Sequence, residues 1–294
     1  MAKPIFIVGK NRSGTKWLSN ILLRNKNISG IQNEYHGGIL ETNIVNDMAR
    51  IFGSLSNKDS FAGLIECFSG TDFFRLSKLS KCELYKTRSK NYYEFLKRFM
   101  DIYAKKASTE FWLQKIDVKQ LKGFYDYFSD ARFIVIERDI INNIRSAIGL
   151  QRKNKIKTSV VKETILYIYS LKCANRYKNR RKNFFFLRYE DLERDKVNVL
   201  RKICDFLGLT YSNEMLSNKF KRNTSFSNQK ERDTILSKKD RLSISLLSFA
   251  LKYFPMRLYD FFYSLKCLKV KSKPFQRDTF HMICKDFNIV DLDN

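Results

Sequence analysis

The chain has 294 residues, 44% of them hydrophobic and 14% aromatic; that is enough to bury a sizeable core and too apolar for a disordered binder. Three prolines and eleven glycines exclude long flexible linkers. A formal charge of +26, from 56 basic and 30 acidic residues, points to an anionic partner (nucleotide, acidic glycan, anionic lipid or nucleic acid) or to a lysine-rich solubilising surface.

Ile5-Phe6-Ile7-Val8 is a continuous apolar run ended by Gly9, the pattern of a strand buried on both faces of a parallel sheet. Trp17, Leu18, Ile21 and Leu22 recur at helical spacing and predict a helix over residues 15–24. A short strand is expected near residues 28–31. Residues 42–110 read as mostly helical, with a polar loop around 54–60, and are expected to form a substrate lobe. The next strong strand is 132–136, followed by Glu137-Arg138-Asp139 and a helix carrying Ile141, Ile144 and Ile148. Residues 158–178 predict an amphipathic helix with Val161, Ile165, Ile168 and Leu171 on its buried face. Phe184-Phe185-Phe186-Leu187 is a third buried strand, and 197–207 a further helix.

Alternating strands and helices imply an α/β fold with a central parallel sheet flanked by helices, a three-layer arrangement whose ligands bind at the carboxyl ends of the strands. One domain over 1–294 is expected, with a helical C-terminal region over 240–294. Residues 244–270 mix apolar and aromatic side chains with Lys and Arg. They predict either helices packed on the core or an interfacial helix, broken at Pro255, that touches a membrane. Cys67, Cys82, Cys173, Cys204, Cys267 and Cys284 show no CxxC pairing, so reduced thiols are expected. Met1-Ala2-Lys3-Pro4 runs straight into the first strand without a signal-peptide core. The expectation is a soluble, cytoplasmic protein, with peripheral membrane contact through 244–270 as the variant.

The chemistry starts at Gly9-Lys10-Asn11-Arg12-Ser13-Gly14-Thr15-Lys16-Trp17. Two glycines allow a tight turn whose amides share one concavity, and the following helix adds the positive end of its dipole. Arg12 and Lys16 add full charges, while Ser13 and Thr15 add hydroxyl donors. The spacing imitates a nucleoside-triphosphate loop, GxxxxGK[ST], but Trp17 stands where the magnesium-holding Ser or Thr belongs. Residues 4–9 followed by Arg12-Ser13-Gly14-Thr15 resemble the 5′-phosphosulfate loop of the sulfotransferases that use 3′-phosphoadenosine 5′-phosphosulfate (PAPS), closest to the carbohydrate and tyrosylprotein branches. The family usually carries Thr or Ser where Lys16 stands.

Three further segments extend the resemblance. Residues 133–139 with Ser146 resemble the family's 3′-phosphate motif, in which Arg138 and Ser146 would grip the phosphate; a guanidinium fork suits that anion. Leu187-Arg188-Tyr189-Glu190-Asp191-Leu192, then Phe206-Leu207-Gly208-Leu209, resembles a mainly structural stretch in which Tyr189 is either a cofactor contact or a core tyrosine. Glu34-Tyr35-His36 resembles the segment that carries the general base, implying Glu34 first and His36 second as proton acceptor. Trp112-Leu113-Gln114-Lys115 resembles a segment whose lysine, here Lys115, reaches the sulfuryl group or the acceptor, although Ile116-Asp117 departs from the family's usual continuation. Residues 221–226 would form either a basic flap over the nucleotide or a solvated charge run.

The resemblance covers about two-thirds of the chain. It implies metal-independent transfer of a sulfuryl group from PAPS to a hydroxyl of a sugar, glycolipid or polysaccharide, in a P-loop-like fold. The cofactor would be held by Arg12, Ser13, Gly14, Thr15, Lys16, Trp17, Arg138, Ser146 and Tyr189. Two other readings stay open on the residues alone. A P-loop kinase would use an acid of Glu137-Arg138-Asp139 for magnesium. A non-catalytic basic module would bind membrane or nucleic acid through residues 151–183, which carry eleven Lys/Arg and the single acid Glu163. No nucleic-acid partner is expected, because that segment shows helical core spacing and no recognition motif.

Overall fold

The computed structural model describes residues 1–42, 44–180, 182–217 and 229–255. Strand β1 (Lys3–Val8) leads through a loop into helix α1 (Thr15–Leu22). Short strands β2 (Ile28–Ser29), β3 (Gln32–Asn33) and β4 (Gly38–Ile39) follow. Helices α2 (Ala49–Phe52), α3 (Lys58–Ser69), α4 (Asp72–Ser77), α5 (Lys81–Tyr85) and α6 (Tyr92–Lys106) bear out the helical reading of 42–110. Then come β5 (Phe111–Ile116), α7 (Leu121–Tyr127), β6 (Arg132–Glu137), α8 (Ile140–Lys153), α9 (Val160–Asn175) and β7 (Phe184–Arg188). The described chain closes with α10 (Tyr189–Arg194), α11 (Lys196–Leu207), α12 (Gln229–Thr234) and α13 (Lys238–Lys252). Side chains start many of these helices. Asn57, Thr71, Asn91, Ser159 and Asp195 each accept a first-turn N–H, and Ser80 with Glu83 forms a capping box.

Five strands form a sheet in the order β2-β5-β1-β6-β7, flanked by helices; β1 with β6, β2 with β5 and β6 with β7 run parallel. Parallel neighbours need crossovers, which is why helices separate the strands in sequence. β5 is an element that the sequence reading left unassigned. Its Phe111-Trp112-Leu113 run is buried, and the Trp112 ring N–H donates to Asp101 at 3.0 Å.

Two compact units divide the described chain. The first, residues 1–3 and 26–114, has an aromatic core in which Phe68 meets Phe73, Phe95 and Phe99 at ring distances of 6.1, 5.5 and 5.1 Å. The second comprises residues 4–25 and the described part of 115–266. Here Ile5 through Val8 are fully buried, as the unbroken apolar run predicts for a two-sided strand. Phe6 touches Phe124, Phe128 and Phe133 at 5.0, 5.0 and 5.3 Å, and Phe133 stacks on Phe184 at 4.8 Å.

Helix α9 corrects one expectation. Val161 and Ile165, assigned to the buried face, are 47% and 37% exposed. Ile168 of the expected face is buried, and with it go Glu163, Thr164, Tyr167, Ser170 and Ala174. The helix turns a small and polar face inward because its neighbours there include polar residues near the loop after β1, described below.

Cys67, Cys82, Cys173 and Cys204 form no disulfide among the described residues, and Cys267 and Cys284 lie outside them. So do residues 221–226 and most of the expected C-terminal helical region. Among the described residues no helix is long and apolar enough to cross a membrane. Phe6→Ala is expected to cost about 3–5 kcal/mol of unfolding free energy, measurable by denaturant titration.

Candidate active site

The register between β1 and β6 pairs Val8 with Val135. The loop 9–14 and the segment Glu137-Arg138-Asp139 therefore leave adjacent strands at the same carboxyl edge. In the loop, the Ser13 N–H donates to the Lys10 carbonyl at 3.1 Å, and Arg12 and Gly14 have φ of 74° and 95°. A left-handed residue other than glycine costs about 1–2 kcal/mol, and here the residue that bears it is Arg12. Gly14 is required twice over, since a Cβ there would lie 2.5 Å from the Tyr189 ring. No side chain among the described residues caps α1, which begins after Gly14. Its first-turn N–H groups and dipole end suit an anion. Ser13 and Thr15 are buried, and Lys16 and Trp17 half-buried, at this helix start.

Both phosphate-motif segments meet. The Arg12 Nε donates to Ser146 Oγ at 3.0 Å, and Arg138 Nη1 donates to the Arg12 carbonyl at 3.0 Å. The Arg138 guanidinium lies 4.3 Å over the Tyr189 ring, which also meets Trp17 at 5.4 Å. Lys196 Nζ sits 5.6 Å from the Trp17 ring. Tyr189 is thus 4% exposed and also adjoins the candidate cofactor residues.

Burial, and then the neighbouring Arg138, lowers the Arg12 pKa; burial is also the largest cause of the lowered Arg138 pKa. Two half-buried guanidiniums side by side resist their own charge until an anion joins them. Arg138 Nε is buried with no hydrogen-bond partner among the described residues, a donor that a bound phosphate would satisfy. Asp139, an acid the kinase reading needs, caps α8 by accepting from the Asn142 N–H at 2.9 Å. Its own N–H donates to Glu190 at 2.9 Å.

Sequence reasoning missed Asn143. It is fully buried, and its Nδ2 donates to the Asn11 carbonyl at 3.2 Å and to Ser13 Oγ at 3.0 Å. The signal was present: Asn143 lies three residues before Ser146 and so on the same helix face.

Glu34 and His36 belong to the first unit, in the hairpin of β3 and β4. Glu34 is exposed and His36 half-buried. The His36 ring Nε2 lies 2.9 Å from an Asp72 carboxylate oxygen, and Arg75, then His36, hold the Asp72 carboxyl below the usual range. Lys115 is half-buried near the end of β5.

The model of the sulfotransferase family matches residues 4–213. The chain belongs to the sulfotransferase family. A sulfotransferase domain from the curacin biosynthetic pathway is similar to this sulfotransferase at 14% identity, with 99% of each chain covered and a TM-score of 0.51. The sulfotransferase domain of the Synechococcus PCC 7002 olefin synthase is 18% identical, covers 86% of this chain and 96% of its own, and has a TM-score of 0.50. At these identities the likeness is one of fold. No curated protein matches.

Beside Arg138, Glu137 has a buried oxygen without a partner among the described residues, and burial raises its pKa above the ordinary 4.5. The folded protein therefore holds this proton more tightly than the unfolded chain does. The stability so gained is complete below pH 4.5 and is lost as the pH rises through the folded value. Glu137→Gln is expected to melt above the wild type at pH 7, with the gap closing near pH 4, in paired thermal scans.

Proposed function

We propose that this sulfotransferase moves the sulfuryl group of PAPS to a hydroxyl of a carbohydrate or glycolipid acceptor, as the carbohydrate-like branch does. The observation that carries the reading is the pairing of Arg12 with Ser146 beside Arg138, whose buried Nε has no hydrogen-bond partner among the described residues. That grouping fits a ligand with two phosphate ends. Loop amides, the α1 terminus, Arg12, Ser13, Thr15 and Lys16 would hold the 5′ end; Arg138 and Ser146 would hold the 3′-phosphate. When bound, the cofactor supplies the sulfuryl group.

Arg12 and Lys16 would place positive charge where negative charge builds on the departing 5′-phosphate oxygen, the kind of preorganised electrostatics that dominates such steps. Trp17 and Tyr189 would line the nucleotide site, and Lys115 would face the sulfuryl group or the acceptor. Glu34 would take the proton of the attacking hydroxyl. His36, fixed by Asp72, is the second candidate. The chain is read as one catalytic domain with the helical segment 42–110 as its acceptor lobe.

Calorimetry with 3′,5′-ADP against 5′-AMP tests the cofactor. Tight binding of 3′,5′-ADP alone is expected, weakened about tenfold to hundredfold in Arg138→Ala; equal affinity for the two nucleotides would sink the reading. Glu34→Gln is expected to abolish transfer from PAPS while leaving 3′,5′-ADP affinity intact. A fully active Glu34→Gln together with an inactive His36→Ala would reassign the base.

Membrane contact has its own support. Helix α13 and its C-cap Tyr253 leave Leu242, Leu246, Phe249 and Tyr253 from 61% to 71% exposed, positions that follow one helical stripe, with Lys238, Lys239, Arg241 and Lys252 on the same helix. Residues 256–270 of the segment lie outside the described residues. The protein is expected to pellet with anionic vesicles and Phe249→Glu to stay in the supernatant; wild type left in solution removes the idea.

A further inference from the structure

Beside the phosphate loop, within the second unit, lies a cavity of about 220 Å³. It shares Arg12 with the proposed cofactor set, but Ser13–Trp17, Arg138, Ser146 and Tyr189 do not line it. Its polar lining includes Lys10, Arg12, Lys119, Gln151 and Glu163, with Leu150 among the apolar residues. Glu163 is the single acid among the eleven bases of residues 151–183, and α9 turns it inward.

Lys10 Nζ and Glu163 Oε2 pair at 2.8 Å, with the two side chains only 10% and 5% exposed. The other Glu163 oxygen accepts from Gln151 Nε2 at 3.0 Å and from the Thr158 hydroxyl at 3.4 Å. Burial alone would raise the Glu163 pKa, but attraction to Lys10 and the hydrogen bonds from Lys10, Gln151 and Thr158 outweigh it and hold the carboxyl below its ordinary range. It stays ionised, so it is a hydrogen-bond acceptor rather than a proton acceptor. A buried ion pair is seldom more stabilising than apolar packing of the same volume, so stability does not account for this pair. A monohydroxylic apolar alcohol entering the cavity would strip water from these charges and, with its single hydroxyl committed to the reaction, return too few hydrogen bonds. A polyol would return them, and its C–H face would rest on Leu150.

We propose that Lys10, Gln151 and Glu163 are the specificity-determining wall of the acceptor site, selecting a polyhydroxylated acceptor whose non-reacting hydroxyls bond to this network. The proposal rests on the sulfuryl-transfer reading above and names the residues that choose its acceptor.

Saturation-transfer NMR on the full chain, saturated with 3′,5′-ADP, tests it with two rings of equal size. One is myo-inositol, hydroxylated at every carbon; the other is cyclohexanol, with a single hydroxyl. Binding of myo-inositol and not of cyclohexanol is expected. Gln151→Leu is expected to weaken the myo-inositol signal about tenfold, the loss of one hydrogen bond in a charged network, while keeping the wild-type 3′,5′-ADP affinity and melting temperature. Glu163→Gln, which keeps the shape and removes the charge, is the second variant should Gln151→Leu fail to fold. Cyclohexanol binding as well as myo-inositol, no myo-inositol signal, or myo-inositol binding unchanged in the variants overturns the proposal. Should 3′,5′-ADP itself not bind, the cofactor reading fails separately and the polyol comparison is read on the unliganded protein.

Discussion

The parallel pairing of Val8 with Val135 is the constraint on which the site depends. Two strands in register must release their chains at the same edge of the sheet, so a loop that closes near residue 9 and a segment that begins at 137 become neighbours. The long-range bonds between Arg12 and Ser146, Arg138 and the Arg12 carbonyl, and Asn143 and Ser13 are then short reaches. The aromatic packing of Phe6 on Phe133 secures that register from the core side. Charge concentrated at the edge is thus held by apolar contacts at a distance from it.

Electrostatically the edge is poised for a ligand. Arg12 and Arg138 are half-buried beside each other, and Arg12 holds an uncommon backbone conformation. Each of these features costs free energy. Such a cost is tolerated where a bound anion recovers it. Lys10, one residue into the same loop, is treated differently: Glu163 neutralises it. The loop therefore presents the Arg12 guanidinium on one side and a compensated, hydrogen-bonding pair on the other.

Much of this is legible in the sequence. The buried strands stand out as unbroken apolar runs and Arg12 lies in the glycine turn after one of them, whereas Arg138 and Ser146 are marked by the resemblance to the family's 3′-phosphate motif. What escaped notice shares a physical cause. Asn143 is polar and fully buried, and a search for apolar periodicity passes over it. Helix α9 departs from its expected face in part for the same reason: Ile168 is buried as expected, but Glu163, Thr164 and Ser170 go inside with it while Val161 and Ile165 stay out. Periodicity reports where hydrophobic residues recur. It is silent where a helix packs against a polar site, since burial there is decided by hydrogen bonds. β5 was missed because Gln114 and Lys115 interrupt its apolar run. The hairpin holding Glu34 and His36 has strands of only two residues each, too short to leave a pattern.

Tyr189 joins three parts of the molecule. Its ring supports Arg138, leans on Trp17, and fills the space where a side chain at residue 14 would otherwise stand. Gly14 and Tyr189 consequently form one unit of sequence drift, although 175 positions separate them. A change that enlarges residue 14 must wait for a smaller residue at 189, and a smaller residue at 189 withdraws the platform beneath Arg138. Neither step is open on its own, so a lineage carrying this loop is held at both positions by geometry as well as by chemistry.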